Sequence, residues 1–145
     1  MRVSLHIILF VAATVILSGK QRVTSEQAEL ASFAQDIYRQ EGINLPRSSF
    51  ELNVLDSGER VFTIGLESSD LSLSQDLLQG FVTGGAVSQH ARSPIDQIVL
   101  EVELLSSNSK MMVLRSTGNC CEELYNNRLA PDVFTEKCLW VNENN

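Results

Sequence analysis

The chain divides into stretches where apolar residues recur every three or four positions and stretches where they alternate with polar ones, the signatures of amphipathic helix and half-buried strand. Between positions 25 and 41, Ala28, Leu30, Ala31, Phe33, Ala34, Ile37 and Tyr38 keep the helical period, and the pattern stops at Gly42, a natural C-terminal glycine. Thr24 with Gln27 makes a capping box in front of it. Phe50, Leu52 and Val54 then alternate with Glu51 and Asn53, Asp56-Ser57-Gly58 marks a turn, and Phe62, Ile64 and Leu66 share one face of a second strand. Together these two strands predict a hairpin.

The longest helix is expected between Ser69 and Arg92, opened by a capping box of Ser72 and Gln75. Leu77, Leu78, Phe81, Val82, Ala86 and Val87 form its apolar side, while Asp76, Gln79, Thr83 and His90 interleave as the polar side. Gly80, Gly84 and Gly85 oppose this reading, because each glycine in a helix interior costs about 0.8–1 kcal/mol relative to alanine. Either the helix ends near Gly84, or the glycines allow close approach. Gly80 and Gly84 lie one turn apart, which favours a helix pressed against a sheet or a second helix.

Ser93 and Pro94 break the pattern, and Gln97 to Leu105 carries Ile98, Leu100, Val102 and Leu104 on one face with Glu101 and Glu103 on the other. A polar turn at Ser106 to Ser109 leads into a returning strand, Lys110 to Ser116, whose Met112 and Leu114 join the core. Asn119 with Glu122 predicts the start of a short helix that ends near Leu129 and is stopped by Pro131. The tail from Asp132 to Val141 fits either a helix or an edge strand, with Trp140 over the core. The sequence therefore predicts a two-layer α+β domain with an antiparallel sheet of about four strands, in the order α-β-β-α-β-β-α. Its expected core holds Phe33, Ile37, Leu52, Ile64, Leu78, Val82, Leu100 and Val102.

With 145 residues, 43% hydrophobic and 20% charged, the chain can bury one core without metals. Its net charge of −7 and pI near 4.7 have the wrong sign for counterion-release binding to nucleic acid or for adsorption on anionic lipid. Arg2, the apolar run Leu5 to Leu17, and Ser18-Gly19 read as a secretory signal over residues 1–19, leaving a domain at 20–145. Ile16 and Leu17 suit the cleavage site poorly, so cleavage and retention as a membrane anchor both stand. Lys20 occupies the position where a lipoprotein signal needs cysteine. The expected location is periplasmic or extracellular, with membrane contact only through residues 1–19 if they are retained. The acidity belongs to the domain, since residues 1–19 contain one base and no acid.

Three cysteines, Cys120, Cys121 and Cys138, lie in the exported part. An oxidising compartment favours a disulfide from Cys138 to one of the adjacent pair, closing a loop of roughly 17 residues worth about 3 kcal/mol in the chain-entropy treatment. Helix phase turns Cys121 inward, towards the side of Leu124 and Tyr125, and so favours Cys121 as the partner. The remaining cysteine is then left single, to react or to pair with another chain. His90 is the single histidine beyond residue 19, and the chain has no Gly-x-Ser-x-Gly, no His-Glu-x-x-His and no phosphate loop. Glu101 and Glu103 share a strand face, which a solvated surface explains. No metal or cofactor is implied. The expectation is a non-enzymatic exported domain that binds another protein or caps an assembly in the cell envelope. The alternative is a thiol-redox protein or small hydrolase using Cys120, Cys121 or His90.

Overall fold

In the computed structural model, which describes residues 24–106 and 108–142, the apolar faces of these elements meet on one side of a five-stranded sheet. The first helix, α1, covers residues 24–40 and buries Leu30, Ala31, Ala34 and Tyr38. Gly42 ends it at φ 77°, with Gly42 N–H donating to Arg39 O and Ile43 N–H to Tyr38 O, the paired bonds of a Schellman motif. Phe33 and Ile37 flank the buried stripe and are half-buried, so the expected core is rotated slightly on this helix.

Strands β1 (Phe50–Val54) and β2 (Arg60–Ser68) form the first hairpin, turned at Gly58 with φ 86°. Strands β3 (Gln97–Leu104) and β4 (Lys110–Thr117) form the second. Between them runs α2 (Leu73–His90), and it joins the hairpins through a parallel pair, Val61↔Gln97 to Ser68↔Leu104. This corrects the expectation of a wholly antiparallel sheet. Hairpin turns reverse the chain, but an 18-residue helix carries it back by about 27 Å, the length of a strand, so the next strand starts at the end where β2 started. The element order also continues past the expected last helix, α3 (Gly118–Tyr125), into α4 (Pro131–Cys138) and a short fifth strand, β5 (Trp140–Asn142), antiparallel to β4. The ambiguous tail is thus helix and then strand, and Pro131 opens α4 at its first turn.

The glycines of α2 mark its packed side. A Cβ on Gly80 would stand 2.7 Å from Leu100 Cδ1, and one on Gly84 would stand 2.5 Å from Ile98 Cγ2. Close approach is therefore why the helix tolerates them, and it continues unbroken to His90. The packed line also takes in Thr83, fully buried, and leaves Leu78 37% exposed, which reverses the expected polar and apolar roles of these two residues. Val82 is half-buried. Leu52, Ile64, Leu100 and Val102 are buried as expected.

Two capping boxes do not form. Ser72 makes no cap bond to α2; its hydroxyl instead lies 2.9 Å from Ser69 Oγ, and Asp76 supplies negative charge in the first turn. At α3 the cap is Thr117, whose Oγ1 accepts from Cys120 N–H at 3.1 Å, while Glu122 accepts from Ser88 Oγ at 2.6 Å. Gln27 works elsewhere too. Its side-chain amide donates to Phe50 O at 3.0 Å and accepts from Leu52 N–H, occupying the free edge of β1.

Candidate functional site: the uncovered sheet face

Successive residues of a strand point to opposite sides of its sheet. The even-numbered residues of β2, β3 and β4 face the helices: Leu100 and Ile98 meet α2, and Phe62, Ile64, Val102 and Leu114 are buried with them. Tyr38 of α1 packs on Phe50 with ring centroids 5.8 Å apart, and Phe134 of α4 packs on Phe81 of α2 at 5.1 Å. The helices so placed share one layer. On the other face none of α1 to α4 is packed; the short 3-10 turn Arg47–Ser49 lies over Gly65, where an added Cβ would stand 3.8 Å from Ser49 O, and the register brings the odd-numbered positions into rows.

One row reads Glu51, Thr63, Val99, Arg115 and Trp140 across all five strands. The next reads Gly65, Glu101, Val113 and Asn142, and the last Glu67, Glu103 and Met111. Met111 is 54% exposed and Trp140 52% exposed, so two of the largest apolar side chains on the sheet stand in solvent. Trp140 therefore does not cover the core. Its register opposite Arg115 places it on the uncovered side.

Glu67, Glu101 and Glu103 gather at one end, where residues 44–49 pass over the strand ends and leave a cleft of about 520 Å³ that also includes Asn44, Ser49 and Met111. None of these three carboxylates, nor Glu51, forms an ion pair among the described residues. Arg115 is the one cation among the strand positions of this face. It is held loosely, with Nη1 3.5 Å from Gln97 Oε1 and Nε buried without a partner.

The residues singled out for chemistry lie in the helical layer. Cys138 is joined to Cys120, with Cα atoms 6.1 Å apart, and not to Cys121. Cys121 does point inward and is fully buried, but inward is the centre of the core; Cys120, half-buried at the core's rim, is the one that reaches α4. Burial pushes the Cys121 thiol up to about 12. His90 ends α2 stacked on Phe33, ring centroids 4.2 Å apart, with Nε2 3.6 Å from Glu29 Oε1. No hydrogen bond or ion pair links it to Cys120 or Cys121 among the described residues. A second cleft of about 330 Å³ lies between α2 and α4, lined by Leu77, Leu78, Phe81, Phe134 and Leu139. The sequence signal for the uncovered face was present in Glu101 and Glu103, which alternate with the buried residues of β3, but single strands do not reveal which faces become neighbours.

Among the described residues no cluster of histidine, cysteine or carboxylate groups is arranged to hold a metal ion, and no helix is long and apolar enough to cross a membrane. No protein family matches the chain, and no curated protein or solved structure is significantly similar to it.

Proposed function

We propose that residues 20–145 are a non-enzymatic protein-binding domain, carried out of the cytoplasm by residues 1–19, and that another protein of the cell envelope docks on its uncovered sheet face. The targeting segment lies outside the described residues, and its role rests on the pattern Arg2, Leu5 to Leu17, Ser18-Gly19. The disulfide fits an oxidising compartment.

One observation carries the reading. A sheet face that merely meets water alternates into polar residues, whereas this one sets Trp140, Met111 and Val113 among unpaired carboxylates. Large apolar side chains rimmed by charge are the composition of a binding surface. The thiol alternative draws no support from Cys121, whose burial leaves little thiolate at neutral pH.

Site-specific photo-crosslinking tests the proposal. With p-benzoylphenylalanine at Val113, in the full chain expressed in its native host, a discrete adduct to a second envelope protein is expected. The same probe at Tyr125, in the helical layer, is expected to give none. Adducts from Tyr125 alone would move the binding surface to the helices.

A further inference from the structure

We infer that the partner presents a cationic, amphipathic segment to the uncovered face, with lysine or arginine over the Glu67, Glu101 and Glu103 end and apolar side chains over Val113, Met111 and Trp140; this rests on the protein-binding reading above. The occupant is chosen by charge. The strand positions of this face hold four carboxylates, Glu51, Glu67, Glu101 and Glu103, against the single guanidinium of Arg115. A second copy laid face to face would set four carboxylates against four, with two arginines to answer them, in a chain whose net charge is already −7. Like charges brought together in a partly desolvated interface disfavour that dimer. A neutral apolar partner fares little better, because it would strip water from carboxylates that have no ion-pair partner of their own. A partner with basic side chains satisfies them, and the cleft of about 520 Å³ beneath residues 44–49 has room for the head of a long basic side chain beside Glu101 and Glu103.

The face carries its own reporter, because Trp140 is the only tryptophan of the chain and sits on it half-exposed. The full chain is titrated with three octapeptides of alternating sequence, lysine–leucine, serine–leucine and glutamate–leucine, while Trp140 emission is followed. The inference predicts a saturable blue shift with the lysine–leucine peptide, at least tenfold weaker binding of the serine–leucine peptide, and none of the glutamate–leucine peptide. It also predicts that the double variant Glu101→Gln, Glu103→Gln loses at least fivefold in affinity for the lysine–leucine peptide while its unfolding temperature is unchanged. Serine–leucine binding as tight as lysine–leucine binding would overturn the cationic partner and leave the docking face standing. Absence of any shift with all three peptides would overturn both. An unchanged affinity in the double variant would detach the cation from these carboxylates and overturn the inference.

Discussion

Gly85 of α2 lies against the carbonyl of Cys121 in α3, so closely that a Cβ on it would stand 2.1 Å from that oxygen. The neighbour is helix backbone, which cannot swing aside as a side chain can. Gly85→Ala is therefore expected to destabilise by about 1–3 kcal/mol through overpacking, despite the roughly 0.8–1 kcal/mol that alanine gains in helix propensity. Gly80→Ala meets only the terminal methyls of Leu100 and is expected to stay within about 1 kcal/mol of the parent. Urea unfolding of the two variants measures the contrast, and equal effects would mean that α2 and α3 are less tightly fitted than described.

Glu26 is the charged group that fastens α1 to the sheet. It is 6% exposed, accepts from Arg60 Nη2 at 2.8 Å and from the Arg92 backbone N–H at 3.0 Å, and so ties the first helix to β2 and to the loop after α2. Removing one partner of such a pair leaves the other charge buried alone. Glu26→Ala is expected to cost about 3–5 kcal/mol. Glu29→Ala, whose partners His90 and Arg92 are exposed, is expected to cost less than about 1 kcal/mol by the same unfolding measurement.

The disulfide spans 18 positions between Cys120 and Cys138, and opening it frees the unfolded chain of a loop worth about 3 kcal/mol. Cys138→Ser is expected to lower stability by about 2–4 kcal/mol. Non-reducing peptide mapping of the unsubstituted protein is expected to recover a Cys120–Cys138 peptide with Cys121 free. A Cys121–Cys138 peptide would contradict the arrangement of α3 and α4.

Cys121 sets a pH dependence. Burial holds its thiol near 12 in the folded protein against an ordinary value of 9.0, so above pH 9 the unfolded state releases a proton that the folded state keeps. The contribution is fully present below about pH 9 and is lost as pH rises towards 12. Burial moves the Tyr38 hydroxyl in the same direction. Cys121→Ala is expected to flatten the alkaline fall in unfolding free energy, and an identical fall in the variant would assign the whole slope to other groups.

Much of this was legible in the chain, and the parts that were not share a cause. Periodicity located α1, both hairpins and α2, because each has its own apolar face. It misassigned Leu78 and Thr83 because the side of α2 that meets the sheet is defined by Gly80 and Gly84, which score as defects until a neighbour is placed against them. The parallel join of β2 to β3 depends on where an 18-residue helix delivers the chain, which no local pattern encodes. The choice of Cys121 over Cys120 failed for a related reason: helix phase identified the inward cysteine correctly, but the bridge needed the one facing a neighbouring helix. The uncovered face was the least legible feature of all, since it is made of rows that cross three to five strands.

Hydroxyl-radical footprinting of the protein in its native envelope, compared with the purified protein, tests the docking face most directly. Met111 and Trp140 stand about half-exposed on that face, and Tyr125, 42% exposed, stands in the helical layer. Met111 and Trp140 are expected to oxidise several-fold more slowly in the envelope than in the purified protein, while the rate at Tyr125 is unchanged. Protection of Tyr125 with Met111 and Trp140 unchanged would contradict the docking face.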